Sequence, residues 1–322
     1  MTPSVFRLVV FVTMFCLSPD AFSQRVIATV AVGRSPIYLA ADETTNRIYV
    51  SNQSDDTVSV IDGATDRVLA TVRVGHYPNG IAVNSKTNTI YVANLTSGSL
   101  SVINGTTLKA STLWLGSSPA KVAVNPSTNR VYVTLEAQNG SLDVIDGRRR
   151  KLIASIPLPP YPLSVAVDTG SNRIYVADFL CGCGQVTVVD GGTNRVANTI
   201  GVLGSTMLNG VALDSRDNLV YATDENSGFY LIDLTSGEVL GEVGGLSNPN
   251  EVTSIPGTTL VVEPDTGTNR AIFIDALSLA VKKRVQVGKF PTGVAVNRAT
   301  KRVYVANRMS NTVSVIQLPS NW

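Results

Sequence analysis

Five oxygen-bearing side chains, Asn79, Asp178, Asn209, Asp224 and Glu251, are the residues of this 322-residue chain whose types best suit a hard cation. Ca²⁺ takes amide and carboxylate oxygens of this kind, and a bound cation can polarise an ester oxygen for hydrolysis. The same residue types are ordinary turn and hydrogen-bonding residues, so their meaning depends on whether the fold brings them together. A second set is aromatic. Tyr77, Tyr161 and Phe290 each stand immediately before a proline, and with Arg34 and Lys289 nearby such rings could stack on a sugar, a peptide or an aromatic ligand. The competing reading is that they cap an apolar interior.

Other chemistries find less support. His76 is the only histidine, no Gly-x-Ser-x-Gly elbow occurs, and nothing orders a Ser and an Asp around it, so a nucleophilic triad is not expected. Cys181 and Cys183, separated by one glycine, are too sparse for a closed zinc site. In an oxidising compartment they read first as a local disulfide, with free thiols or a soft-metal contact as the alternatives. Haem attachment, a phosphate-cradling Gly-Lys loop and an EF-hand spacing are absent, so no cofactor is expected apart from Ca²⁺.

The elements that must position these residues are repeats. Ile48-Tyr49-Val50-Ser51 returns as Ile90-Tyr91-Val92-Ala93, Val131-Tyr132-Val133-Thr134, Ile174-Tyr175-Val176-Ala177, Val220-Tyr221-Ala222-Thr223 and Val303-Tyr304-Val305-Ala306. The first five tyrosines are 42, 41, 43 and 46 residues apart, and the last gap of 83 hides one degenerate copy. A period of about 40 to 45 residues built from short strands is the signature of a β-propeller. In the first full copy, strands are predicted from Ile37 to Ala41, Ile48 to Asn52, Thr57 to Ile61 and Arg67 to Val74. The last copy stops after its third strand at Gln317, and Arg25 to Gly33 repeats the pattern of Arg67 to Gly75. The N-terminal strand therefore completes the last blade. The expected fold is all-β: a seven-bladed propeller of four-stranded antiparallel blades, with the tyrosines as core between blades.

The Asn-Arg-Ile-Tyr-Val, Val-Ile-Asp-Gly and Arg-Val-Leu-Ala-Thr segments around Asn46, Ile61 and Arg67 resemble the YVTN β-propeller repeat family over nearly all of the chain after residue 23. That resemblance implies a secreted or surface interaction protein. The ring of Asn79, Asp178 or Asp224, Asn209 and Glu251 also looks like that of the calcium-dependent propeller lactonases, in residue type and place only.

In such a fold the loops entering each first strand and those joining second to third strands share one face around the axial channel. Three departures from the repeat fall there: the insertion 179–184 in blade four, Leu208 in place of proline in blade five, and Glu251 to Pro256 in blade six, which has lost its tyrosine. Departures from a local rule on neighbouring blades are where function is looked for. Arg148-Arg149-Arg150-Lys151 lies on the opposite face and reads as a solvated hairpin.

Arg7, the apolar run from Leu8 to Leu17 and Ala21-Phe22-Ser23 have the pattern of a signal peptide over 1–23, leaving 24–322 as the propeller. The run is too short to span a bilayer. With 26 Lys plus Arg against 24 Asp plus Glu, the charge balance gives no case for a nucleic-acid partner. The leading expectation is a secreted or periplasmic, monomeric, non-catalytic scaffold. It would bind a protein, glycan or small molecule through Tyr77, Asn79, Tyr161, Asn209, Glu251 and Phe290 at the channel mouth. The alternatives are a metal-assisted lactonase-like hydrolase and a structural protein of a surface layer.

Overall fold

The computed structural model describes residues 24–179, 184–205, 207–226 and 228–319. Twenty-eight strands form seven antiparallel sheets of four, and no helix occurs among the described residues. Blade one runs through Pro36–Asp42, Arg47–Asn52, Thr57–Asp62 and Arg67–Arg73 in consecutive hairpin order, and the next five blades repeat it. Blade seven is composite. Arg25–Ala31 pairs with Thr312–Gln317, from Arg25 opposite Gln317 to Ala31 opposite Thr312, so the two chain ends close the ring. A closed ring leaves only short, protected strand edges.

The core lies between blades. Each repeat tyrosine crosses to the next blade: Tyr49 packs against Ile81, Ile90 and Val92, and Tyr175 against Leu208, Val211 and Val220. All six repeat tyrosines are at most 2% exposed. On the face opposite the mouth, the Asn84, Asn125 and Asn297 side-chain amides donate to Asn129, Asn172 and Asn46 of the following blade, at 2.8 Å each. Those acceptors sit in hairpin turns with left-handed backbone, which asparagine tolerates better than most residues.

The first strands are innermost, and in blades one, two, three, four and seven a β-bulge follows their opening proline, as one follows Leu208 in blade five. A bulge re-aims side chains that a regular ladder would fix, and in blades one, two, three and seven it spans the third residue of the strand. Blade six departs further. Its first strand is only Thr253–Ser254, beyond an isolated Pro249–Asp265 bridge. In blades one and three a hydroxyl on the second strand takes the third residue's N–H: Tyr38 N–H donates to Ser51 Oγ at 3.3 Å and Lys121 N–H to Thr134 Oγ1 at 3.0 Å. Blade six has Pro264 at that position, with neither hydroxyl nor N–H, so Glu251 loses this tie and the ladder starts late.

Candidate functional site

The third residue of the seven first strands reads, blade by blade, Tyr38, Gly80, Lys121, Ser164, Gly210, Glu251 and Gly293. The three large side chains meet across the axis. Lys121 Nζ is 2.5 Å from Glu251 Oε1 and 3.1 Å from the centroid of the Tyr38 ring. Glu251 Oε2 accepts the Val294 N–H at 3.0 Å, and the Tyr38 hydroxyl reaches Asn250 Oδ1 at 3.5 Å. Side chains from blades one, three and six thus close the channel at this level.

Glycine makes the crowding feasible. Each large residue is preceded, one blade earlier, by a glycine at the same position. A Cβ on Gly80 would lie 2.5 Å from the Lys121 Cα, one on Gly293 2.7 Å from the Tyr38 Cα, and one on Gly210 2.7 Å from the Asn250 carbonyl. Burial pulls the Lys121 ammonium below the ordinary lysine value, and the Glu251 carboxylate opposes that pull. Burial, then the negative charge of Glu251, pushes the Tyr38 phenol up. Glu136, nearby on blade three, is raised by burial alone.

Above this plug stands a rim. The residue before the opening proline has left-handed backbone in five blades: Ser35 (φ 52°), Tyr77 (57°), Tyr161 (57°), Asn248 (60°) and Phe290 (56°). Its carbonyl accepts the N–H of the first residue past the second strand, as Tyr77 does from Leu95 at 3.0 Å, Tyr161 from Phe179 at 3.1 Å and Phe290 from Arg308 at 2.9 Å. Small polar residues adopt this conformation readily, but bulky aromatic ones rarely do. Tyr77 is 37% exposed, Tyr161 and Phe290 are half-buried, and the Arg308 guanidinium lies 6.0 Å from the centre of the Phe290 ring.

Charge around the rim is uneven. Lys289, Arg34 and His76 occupy one position on consecutive blades seven, one and two, where blades three, four and six carry Ser117, Pro160 and Ser247. Arg34 Nε meets Asp55 Oδ1 at 2.5 Å and His76 Nδ1 lies 2.7 Å from Asp56 Oδ2. The Arg34 backbone N–H, with its guanidinium, holds the Asp55 carboxyl below the usual carboxylate range.

The six residues expected to bind ligand therefore divide. Tyr77, Tyr161 and Phe290 form the rim, whereas Asn79 and Asn209, 6% and 7% exposed, are buried on the innermost strands and Glu251 belongs to the plug. Among the described residues no donor meets the Oδ1 atoms of Asn79 and Asn209. Of the five oxygen residues, Asp178 is held within blade four by Gln185 and Thr187 at 3.0 and 2.9 Å. Asp224 accepts from Ser205 and from the Met207 N–H, at 2.5 and 2.7 Å. Among the described residues no three His, Cys, Asp or Glu side chains are grouped to hold one metal ion. Cys181, Cys183 and residues 1–23 lie outside the described residues. Tyr38 and Arg308 were not legible as site residues, although the third-residue column, read vertically through the repeats, carries the signal for Tyr38.

Fold and plug together define a seven-bladed β-propeller with a closed axis. No family model matches the chain. It is 28% identical over 220 residues, 64% of its length, to the uncharacterized protein YncE of Salmonella typhi and, at the same values, to that of Salmonella typhimurium. The matched region covers 56% of those curated relatives, little more than half their length. Among solved structures, hydrazine synthase of Kuenenia stuttgartiensis superposes with a TM-score of 0.83 at 20% identity, over 88% of this chain and 95% of that one, a likeness of fold. No helix of the described residues is long and apolar enough to cross a membrane.

Proposed function

We propose that this propeller is a non-catalytic binding scaffold whose recognition surface is the channel-mouth rim, and that it works outside the cytoplasm. The observation that carries the reading is the shared left-handed backbone of Tyr77, Tyr161 and Phe290. Backbone strain at equivalent positions of three blades, each bearing a partly exposed ring, motivates a role in contact with a partner. Aromatic side chains supply large contact area at small entropic cost. The Lys121–Glu251–Tyr38 plug supports the same reading, because it leaves the mouth shallow and suited to a protein surface or a glycan laid across it. The run from Leu8 to Leu17, followed by Ala21-Phe22-Ser23, supports export.

The test compares wild type with the triple variant Tyr77→Ala, Tyr161→Ala, Phe290→Ala on a glycan array and in capture from cell-envelope extract. The expected result is a defined ligand or partner held by wild type and lost by the triple variant, whose melting curve stays cooperative. Identical retention by both proteins removes the rim from consideration.

A further inference from the structure

The seam between blade seven and blade one opens on the mouth face as a cleft of about 790 Å³. That volume is within the range of small-molecule sites. Three of its walls are cationic: Lys289 and Arg308 from blade seven and Arg34 from the start of blade one. The remaining lining is neutral, with Ser35, Ser54 and Asn311 supplying polar groups and Met309 a thioether that is 67% exposed. Among the described residues no carboxylate lines the cleft. Asp55 is engaged by the Arg34 Nε and backbone N–H, and Arg34 Nη2 donates to the Ser54 carbonyl at 3.2 Å, which leaves Nη1 of that guanidinium to offer. Three cations against that single carboxylate leave a net of two positive charges at the seam.

The hydrogen bonds already made fix what remains to be offered. Asn311 Oδ1 takes the Ser35 N–H at 2.9 Å, which leaves the amide NH₂ as its free donor group. Arg308 Nη2 donates to Gln53 Oε1 at 3.0 Å, with the Phe290 ring 6.0 Å away and the other guanidinium nitrogens still available. The Lys289 side chain meets no partner among the described residues. The cleft is therefore rich in donors with a charge of plus two, the complement of a tetrahedral dianion. Arginine forks and a lysine point charge are the groups that recognise phosphate. Inorganic phosphate alone would leave much of the volume unfilled, and Met309 offers an apolar surface beside the cations.

We infer that this cleft binds a soluble phosphate monoester, its phosphate held by Lys289, Arg308 and Arg34 and its organic remainder lying over Met309. The inference rests on the reading of the mouth as a binding face and names a ligand class for one sector of it. Calorimetric titration of the whole protein with glucose 1-phosphate, inorganic phosphate and glucuronate is the test. Saturable binding is expected for both phosphates, tighter for the ester, with the singly charged glucuronate weaker by about ten-fold, since a charge-assisted hydrogen bond is worth on the order of one decade or more. Lys289→Met and Arg308→Met should each weaken glucose 1-phosphate by about ten-fold with unchanged melting curves. Absence of saturable phosphate binding, equal binding of glucuronate, full binding by the double variant, or binding only to phosphatidic acid vesicles would each overturn it. The Tyr77→Ala, Tyr161→Ala double variant keeps this cleft intact and separates the two readings. If it loses the rim partner while wild type binds no phosphate, the anion inference alone fails. If it binds phosphate normally while rim capture is unaffected by the aromatic substitutions, the rim reading alone fails.

Discussion

Lys121 and Glu251, 130 residues apart in sequence and on blades three and six, join across the axis of the ring at 2.5 Å, with the lysine 8% and the glutamate 21% exposed at the side chain. Removing one member leaves the other charge buried without compensation, which typically costs about 3–5 kcal/mol, whereas replacing both by apolar residues is often neutral. Glu251→Gln is therefore expected to destabilise strongly and to lower the Lys121 pKa further. Lys121→Met combined with Glu251→Leu should recover most of the loss. Urea unfolding of the two singles and the double checks this, and additive losses in the double would refute the coupling.

The plug also depends on the glycines beside it. Gly80→Ala places a methyl 2.5 Å from the Lys121 Cα, and the backbone there has little room to yield because it sits on the innermost strand. Overpacking of this kind costs about 1–3 kcal/mol. Gly201→Ala, with nothing within 4 Å of the new methyl, should change stability by less than about 0.5 kcal/mol. Thermal melts of the pair decide whether the close approach, rather than loss of a glycine as such, carries the effect.

The repeats made the blades legible because a tyrosine that must pack on the next blade recurs with the blade. The terminal closure followed from one strand missing at the end of the chain and one spare at its start. The plug was hidden for a different reason: its members share a column but not a residue type, and which of them touch depends on the order of glycines around the ring. Glu251 stood out as a break in the repeat, yet only the structure joins it to Lys121 and so removes it from the free oxygens. The rim conformation was also invisible, since the residue before a proline is ordinarily biased towards extended backbone. Blade six was expected to have a full first strand, and Pro264 on the neighbouring strand undoes most of it.

Two buried acids predict a pH dependence. Burial raises the Asp178 carboxyl to about 6, against hydrogen bonds from Gln185 and Thr187 that pull the other way. Burial, then the charge of Asp265, raises Glu263 well above its ordinary value. The Asn250 backbone lies close enough to favour the Glu263 anion, but among the described residues neither carboxyl oxygen is met within hydrogen-bond geometry. An acid whose folded pKa exceeds its unfolded one binds its proton more tightly when folded. Its stabilising contribution is complete below about pH 4 and is lost as pH rises through the folded value. Asp178→Asn installs the residue that Asn52, Asn94 and Asn307 provide in other blades, and Glu263→Val the residue of Val50, Val92, Val133, Val176 and Val305. Asp178→Asn should match wild type near pH 4 and exceed it by roughly 2 kcal/mol at pH 7.5, with Glu263→Val shifted in the same direction. Denaturant titrations at the two pH values test it. A variant advantage that is the same at both would mean that packing, not proton linkage, is responsible.

The rim aromatics should trade stability for contact. A non-glycine residue in left-handed backbone costs about 1–2 kcal/mol, and glycine relieves that at an entropic cost of about 0.5–1 kcal/mol. Tyr77→Gly, Tyr161→Gly and Phe290→Gly are therefore each expected to leave the protein as stable as wild type or up to about 1 kcal/mol more so. Alanine at the same positions keeps its Cβ and gains nothing. The comparison of Gly with Ala variants in urea isolates the backbone term, because both remove the ring. Phe290 is the most informative of the three, since losing its ring also removes the aromatic face 6.0 Å from the Arg308 guanidinium. If Ala and Gly variants were equally stable at all three sites, the left-handed turn would be the relaxed state of these loops. The aromatic residues would then be there for reasons other than strain held in place for binding.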